Sequence, residues 1–498
     1  MSNTDSHATE QSGSASLELS SAARWAFVVA AFAVALTAFL FPLPEHVRTV
    51  NELTLTPQGQ TTMGILVFAL LLWISEAIPF HITGLLGTIL IALFGVASFQ
   101  DVIMIGFGNH IFIFFIGVLV MSSFITRSGL GNRISVYLLS RTGNSTSAIV
   151  FGFLVAGMFL SMWITNTAVA AMLMPLGVSI LKEEGVQPMK SKFGKGLMIA
   201  CAWGPIVGGL MAPSGAGPNP IAIGFLKEMV GIELTFVGWM VYGVPAGLLL
   251  LFPTWGILML FFKPEMKRLK KSKEELHAAY ETLPPMGREE RVTLRLFVVT
   301  VVLWLTTPLL ERILGTSIPI SLPVMVTASV FFFPGVATTT WEKVEREISW
   351  SSILLIVSGI SLGMVLYRTG AAEWLAIALL GGVGPLHPFV LILIVVLIVE
   401  FLKVFLSSNT VTATIVIPIM ITLAANLGID ALSITMPAAL STSMAFILVT
   451  STPTNVIPYT AGYFSIRDMA VAGLVMTFVA APLVAAAIYV IGTFTGLY

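Results

Sequence analysis

Long apolar runs alternate with short polar stretches along almost the whole chain, from Trp25 to the C-terminus. Each run is about 18 to 20 residues long, the length that a helix needs to cross the hydrocarbon core of a bilayer. The runs predict spanning helices over residues 25–43, 61–79, 82–99, 109–126, 238–262, 293–310, 320–336, 351–367 and 469–495. The pattern is therefore typical of an all-α polytopic membrane protein.

Four other apolar segments are interrupted by polar residues, proline or glycine. Two of them predict re-entrant hairpins, one over 145–183 with its turn near Thr165 and one over 387–425. Backbone at membrane depth leaves the helical conformation only where protein buries it or where it lines a polar cavity. The two turns therefore predict parts of a binding site.

The other two interrupted segments predict broken helices. In the first, the break at Ala212–Pro220 separates a helix over 195–211 from a short helix that ends near 230. In the second, the break at Ser451–Asn455 separates a helix over 434–450 from another short helix. Proline, glycine and asparagine end helices and free backbone amides and carbonyls.

The two hairpins carry closely similar polar tripeptides at their turns. Thr165-Asn-Thr167 recurs as Ser408-Asn-Thr410 after 243 residues, and Arg127-Ser-Gly129 recurs as Arg368-Thr-Gly370 after 241. The spacing predicts an internal repeat of about five transmembrane helices plus one re-entrant hairpin each, preceded by an extra N-terminal helix. Because an odd number of crossings reverses direction, we expect the second copy to be inverted.

Composition agrees with a membrane protein and excludes several functions. The chain is 56% hydrophobic and only 10% charged, whereas soluble domains carry roughly 25% charged residues. A formal net charge of zero argues against a nucleic-acid partner. Cys201 is the single cysteine, and no Cys/His spacing suggests a metal site.

Lys and Arg in short loops indicate orientation. The loop from Lys263 to Arg295 is rich in both, which places it in the cytoplasm together with the N-terminus and leaves the C-terminus outside. The predicted segments are a disordered cytoplasmic tail (1–23), the N-terminal helix with the first-repeat scaffold helices (24–140), the first-repeat hairpin, broken helix and following helix (141–262), a cytoplasmic loop (263–292), the second-repeat scaffold helices (293–380), and the second-repeat hairpin, broken helix and last helix (381–498).

The interruptions suggest a chemistry. Helices that begin after the two turns present free N–H groups and positive dipole ends, which suit an anion with two negative ends. Helix-end carbonyls, with the amides of Asn166 and Asn409, suit a small hard cation such as sodium. An intramembrane enzyme would need clustered His, Asp, Glu or Cys, a primary pump a nucleotide-binding motif, and a cation/proton antiporter a central Asp or Glu. The centre contains Ser, Thr, Asn and Gly instead.

These motifs resemble the divalent-anion:sodium symporter (DASS) family. Thr165-Asn-Thr167 and Ser408-Asn-Thr410 look like its paired Ser-Asn-Thr signatures. Gly208-Gly209…Pro213…Gly215…Pro218-Asn219 looks like its first broken-helix motif, and Thr452-Pro-Thr-Asn455, followed by Gly462–Asp468, looks like its second. The resemblance covers roughly residues 60 to 498, with the four motifs in order.

The resemblance implies a homodimer in the cytoplasmic (inner) membrane, with scaffold and transport domains that work as an elevator. The implied function is secondary transport of C4-dicarboxylates such as succinate, malate and fumarate, coupled to sodium and without an organic cofactor. A sodium-independent dicarboxylate/tricarboxylate exchanger and a sulfate transporter of the same fold remain open.

The resemblance also implies site residues. The substrate would be held by Thr165, Asn166, Thr167, Ser408, Asn409, Thr410, Pro218 and Thr454. The first sodium would lie among Ser161, Thr165, Asn166, Gly209 and Asn219. The second would lie among Ser407, Asn409, Ser451 and Asn455.

The chain departs from the family pattern at two places. In the first break, Ala212 and Ala216 replace threonines and Gly217 replaces a proline. In the second hairpin, Lys403 stands in an apolar run, with Glu400 one turn earlier. Lys403 is a coupling candidate, since its ammonium group could substitute for a bound cation and so reduce or abolish coupling to sodium. The alternatives are an ion pair with Glu400 or a side chain that reaches toward the membrane surface.

Overall fold

The computed structural model describes residues 20–270, 278, 280–380 and 386–498. Most of the predicted tail (1–23) and part of the predicted loop (263–292) therefore lie outside the described residues. The first helix begins at Ser21, so the described end of the predicted tail is helical.

The described residues are mostly helical, in agreement with the predicted fold class. The elements of the first half are α1 (Ser21–Leu40), α2 (Glu45–Arg48), β1 (Thr49–Val50), β2 (Leu53–Thr54), α3 (Pro57–Ser75), α4 (Phe80–Leu93), α5 (Phe99–Phe107), α6 (His110–Arg127), α7 (Leu130–Ser140), α8 (Thr146–Ser161), α9 (Asn166–Glu183), α10 (Lys192–Gly209), α11 (Pro218–Val230) and α12 (Phe236–Phe261). The two short strands form an antiparallel hairpin.

The second half has the same order of helices. Its elements are α13 (Arg288–Leu314), α14 (Ser321–Val330), α15 (Trp341–Glu345), α16 (Trp350–Arg368), α17 (Ala371–Leu380), α18 (Pro388–Phe405), α19 (Asn409–Leu427), α20 (Ala431–Ser441), a 3₁₀ turn (Val449–Ser451), α21 (Pro453–Thr460) and α22 (Ile466–Thr495).

The packing of the two halves is reciprocal. Helix α4 packs on α16, and their counterparts α14 and α6 pack on each other. Likewise α9 packs on α21, while α19 packs on α11. The helix order α3–α12 thus recurs as α13–α22, with matching contacts between the copies. The inversion of the second copy stays a prediction.

Nine helices within the described ranges are long and apolar enough to cross a membrane, namely α1, α3, α6, α12, α13, α16, α18, α19 and α22. Helices α4 and α14 are shorter than the predicted spans over 82–99 and 320–336. Each is followed by a turn whose glycine, Gly95 or Gly335, has a positive φ that an ordinary side chain rarely adopts.

Both hairpins lie where the sequence predicts them, as α8–α9 and α18–α19. The first break runs from Leu210 to Gly217, close to its predicted position. The predicted helix over 434–450 is wrong, because α20 ends at Ser441 and the segment 442–452 contains only one 3₁₀ turn. The segment from Thr442 to Thr450 contains no proline or glycine, so its apolar character alone suggested a continuous helix.

Five short helices were not predicted: α2, α5, α7, α15 and α17. They have 4 to 11 residues each, which is too short for a spanning helix.

Helix α10 packs closely against α8, which positions the first break beside the first hairpin. A Cβ on Gly208 would lie 2.1 Å from the backbone oxygen of Met158. Only glycine allows this approach, and small residues at such contacts are common in membrane helices.

Candidate functional site

The hairpin tips meet the helix breaks of the opposite half. In the first hairpin, Thr167 Oγ1 lies 3.5 Å from Thr454 Oγ1 at the second break. In the second hairpin, Thr410 Oγ1 lies 2.8 Å from where a Cβ on Gly217, at the end of the first break, would stand. The four interruptions selected from the sequence therefore form one cluster, although they are far apart along the chain.

Four helices begin in this cluster. Their first residues are Asn166 (α9), Pro218 (α11), Asn409 (α19) and Pro453 (α21). The N-caps of α9 and α11 make no side-chain capping bond, whereas Ser408 accepts a bond from the Val411 amide and Thr452 from the Thr454 amide. The first amides of a helix lack partners within it and carry its positive dipole end.

Most residues predicted to bind the substrate line the exposed side of this cluster. Thr165 and Thr167 are partly exposed, as are all three residues of Ser408-Asn-Thr410. Asn166, Pro218 and Thr454 are buried behind them. Hydroxyl groups, side-chain amides and helix N-termini thus converge on a partly open surface that suits a small anion.

Asn219 provides hydrogen-bond partners for the backbone of the first break. Its Nδ2 donates to the carbonyl oxygens of Gly209 and Ala212, both at 2.7 Å. These carbonyls lie at or beyond the end of α10, where no N–H group of the same helix is available to bond them. The other amide atom, Asn219 Oδ1, is buried and has no hydrogen-bond partner within the described residues.

Asn166 joins the first hairpin to the first break. Its backbone N–H donates to Gly215 O at 3.2 Å. The side-chain orientation that satisfies its surroundings directs Nδ2 to Gly215 O (2.9 Å), Pro205 O (3.0 Å) and Ser161 Oγ (2.5 Å). A Cβ on Gly209 would collide with this amide, so the packing requires glycine.

Backbone oxygens converge beside Gly215. A Cβ at this position would lie 2.4 Å from Ser161 O and 2.6 Å from Gly209 O. Carbonyl and amide oxygens are the ligands that hard cations prefer, and Asn219 Oδ1 adds an acceptor without a partner. The residues of the predicted first sodium site therefore lie together and fit a small cation, except that Thr165 is at the hairpin tip. Their roles as ligands stay predictions.

Asn455 repeats the geometry of Asn219 in the second half. Its Nδ2 donates to Ala445 O at 2.7 Å and to Leu448 O at 3.0 Å. These acceptors precede Asn455 by ten and seven residues, as Gly209 and Ala212 precede Asn219. Asn455 Oδ1 also has no partner among the described residues. The helix of the second half nevertheless ends earlier, at Ser441, whereas the helix of the first half continues to Gly209, the residue equivalent to Ala445.

Lys403 lies between the second hairpin and the second break. Its Nζ is 2.5 Å from Asn409 Oδ1 and 3.4 Å from Ser451 O. The residue is only 3% exposed, so a side chain that reaches the membrane surface is excluded. Among the described residues, the ion pairs do not include Glu400 and Lys403. The ammonium therefore bonds two residues of the predicted second sodium site.

The remaining predicted residue of that site, Ser407, is partly exposed in the turn before α19. Sequence reasoning missed Gly215 as the position where carbonyls converge, and Trp163 at the first hairpin tip. Trp163 stacks on Phe236, which stacks on Trp304 of α13. The glycines of the first break were a signal for Gly215, whereas a lone tryptophan in an apolar run gave none for Trp163.

Within the described residues, no group of three or more His, Cys, Asp or Glu side chains could hold a metal ion. The cluster is instead built from neutral oxygen and nitrogen atoms, with Lys403 as its charged member.

The chain matches a family model described as the sodium:sulfate symporter transmembrane region over residues 22–496. It is similar to the sodium-dependent dicarboxylate transporter SdcS of Staphylococcus saprophyticus, with 31% identity over 441 residues that cover 84% of each chain. It is also similar to SdcS of Staphylococcus aureus strain USA300, with 30% identity over 457 residues and 87% of each chain.

Two solved structures have a related fold. The YdaH transporter of Alcanivorax borkumensis superposes with a TM-score of 0.52 at 16% identity, over 80% of this chain and 88% of that one. MtrF of Neisseria gonorrhoeae superposes with a TM-score of 0.53 at 15% identity, over 95% of each chain. At these identities the likeness concerns the fold alone.

Proposed function

The chain belongs to the sodium:sulfate symporter transmembrane family, and we propose that it moves C4-dicarboxylates across the membrane together with sodium. The members of this family are membrane transporters and not enzymes, and this chain is a multi-pass membrane transporter. The proposed substrates are succinate, malate and fumarate. Its curated relatives, named sodium-dependent dicarboxylate transporters at 30–31% identity, support this assignment.

The meeting of the two hairpin tips with the opposite breaks supports a dianionic substrate. Helix N-termini from both halves converge there, so each carboxylate of a short diacid can accept bonds from one half. The hydroxyl groups of Thr167 and Thr410 lie on the partly exposed side. Neutral donors bind an anion while it remains free to leave, which transport requires.

The oxygen atoms beside Gly215 support sodium coupling. Ser161 O and Gly209 O approach the same point beside Gly215, and a sodium ion bound there would lie close to Asn166, the first residue of α9, whose N–H donates to Gly215 O. Its positive charge would stabilise the substrate anion at the hairpin tip. Loading of the cation and of the anion would then favour each other, which is the thermodynamic basis of symport.

We also propose an elevator mechanism in a homodimer, with the two hairpins and the two broken helices as the moving unit. The reciprocal packing of the halves supports two related states. In the proposed orientation, the N-terminus and the loop over 263–292 are cytoplasmic in the inner membrane and the C-terminus is outside. In that case, an impermeant thiol reagent labels Lys263→Cys only from the cytoplasmic side.

Uptake of labelled succinate into proteoliposomes tests the proposal. Four conditions combine an inward sodium gradient or its absence with succinate or buffer inside. We expect uptake that requires external sodium and does not require internal succinate. Uptake that requires internal succinate and ignores sodium would replace symport by exchange. Uptake of sulfate but not of succinate would assign the chain to the sulfate transporters.

A further inference from the structure

We propose that the Lys403 ammonium is a built-in cation that occupies the second sodium position, so that the transporter binds soluble sodium only in its first half. The inference rests on the proposed function, because it concerns how that function is coupled. According to this inference, one side chain sets the number of sodium ions that are transported with each substrate.

The contacts of Lys403 are those expected of a bound cation. Its Nζ bonds Asn409 Oδ1 at the hairpin tip and Ser451 O at the break. These are the two elements that would enclose a sodium ion in the second half. Lysine carries three N–H donors and no acceptor, so each of its contacts must be to an oxygen or another acceptor, as for a hard cation.

The first half has no such side chain at the equivalent place. At the hairpin offset of 243 residues, Lys403 corresponds to Leu160, whose side chain is apolar and buried. At the offset of the two breaks, 236 residues between Asn219 and Asn455, Ser451 corresponds to Gly215. In the first half the equivalent residues bond each other directly, since the Asn166 N–H donates to Gly215 O, and Ser161 O and Gly209 O lie beside the glycine. In the second half the Lys403 ammonium lies between Asn409 and Ser451 O instead.

Burial makes the ammonium dependent on these contacts. Lys403 and Glu400 are 3% and 2% exposed, and one carboxylate oxygen of Glu400 has no hydrogen-bond partner in the described part of the chain. A charge taken out of water persists only with compensating partners. Asn409 therefore links the ammonium and the substrate site: its side chain accepts a hydrogen bond from the ammonium, and it is the first residue of α19 at that site. Lys403 can thus attract the substrate anion from the position that a sodium ion would hold.

Equilibrium binding of radioactive sodium to the purified protein tests the inference without relying on transport. We expect the wild type to bind one sodium ion per chain. In Lys403→Ala, removal of the ammonium leaves space beside Asn409 Oδ1 and Ser451 O, and we expect a second ion to bind. Glu400→Gln is the matched control, because it changes the neighbouring charge on the same helix and should leave the count at one.

A second variant tests the inference even if the Lys403→Ala protein does not fold. In Gly215→Ala, a methyl group enters the space between Ser161 O and Gly209 O, and we expect all sodium binding to be lost. Residual binding in a folded Gly215→Ala protein would place an ion elsewhere and overturn the inference. Two ions bound to the wild type would overturn it as well, and so would an unchanged count in folded Lys403→Ala.

Uptake then separates this inference from the proposed function. In Lys403→Ala, the sodium concentration for half-maximal uptake should rise about tenfold, because a tenfold change equals about 1.4 kcal/mol, close to the lower end of what a hydrogen bond to a charged group contributes. The activation curve should also become steeper. An absence of sodium-dependent uptake in the wild type would reject the proposed function, whereas the sodium count would still decide the role of Lys403.

Discussion

At the scale of single residues, two asparagines make equivalent hydrogen bonds in the two halves. Asn219 and Asn455 each donate two hydrogen bonds to carbonyls that a helix break has exposed. Because an unpaired buried carbonyl is costly, these side chains allow the backbone to leave the helix at membrane depth. Both residues were predicted as sodium ligands, and the geometry gives them a structural role in addition.

Replacing either asparagine by alanine should destabilise the protein. Asn219→Ala and Asn455→Ala each remove two hydrogen bonds and leave two buried or partly buried carbonyls without that partner, which costs about 1–3 kcal/mol for a buried group. We expect a lower melting temperature for both variants in detergent. Thr37→Ala is the control, because this exposed hydroxyl bonds only a carbonyl of its own helix. Melting temperatures equal to that of the control would show that the breaks do not need these bonds.

At the scale of elements, each hairpin contacts the helix break of the opposite half as well as the break of its own half. The loop after α11 also reaches the other half, since Ser317, between α13 and α14, donates a hydrogen bond to Glu233. Hydrogen bonds from Lys227 and from Ser317 lower the pKa of the Glu233 carboxyl below its usual range. This contact joins the proposed moving unit to the proposed scaffold.

Covalent linkage at this contact should stop transport. In Glu233→Cys/Ser317→Cys, a short bifunctional thiol reagent should cross-link the two loops and abolish succinate uptake, because α11 could no longer move relative to α14. Cys201 is fully buried and can remain. Each single-cysteine protein, treated in the same way, is the control. Normal uptake after complete cross-linking would show that α11 and this loop move as one body, contrary to the proposed elevator.

At the scale of the whole molecule, some spans have little protein cover. In the most apolar 18-residue stretch of each helix, 11% of α1 and 22% of α13 are buried, less than in the other membrane-length helices of the described chain. Exposed apolar side chains follow α13, namely Val298, Val299, Val302, Leu305 and Leu309. Such a surface suits lipid or a second copy of the chain.

The proposed homodimer gives a definite mass. Light scattering of the detergent-solubilised protein, corrected for the micelle, should give twice the chain mass of 53.4 kDa. The expected mass should not change on dilution through the working range, since a stable interface in the membrane is implied by the family resemblance. A value equal to one chain would contradict the dimer and leave the elevator to operate within a single protomer.

The sequence by itself determined the features that depend on local length and composition. Helix length and apolarity are properties of neighbouring residues, so most spans and both hairpins could be predicted. The Asn-Thr pairs at constant spacing identified the repeat and the four interruptions, because polar residues at membrane depth need a reason to be there. The same motifs led to the family that the comparison supports.

The tertiary structure decided what depends on contacts between distant residues. The second break begins at 442, and within it Asn455 bonds the carbonyls of Ala445 and Leu448, contacts that no local pattern reveals. The short helices depend on packing more than on periodicity. From the sequence, Lys403 could pair with Glu400, reach the surface or replace a cation. Only the folded chain brings Ser451 to the ammonium group, beside Asn409 of the same hairpin, because the hairpin and the break meet in space and not along the chain.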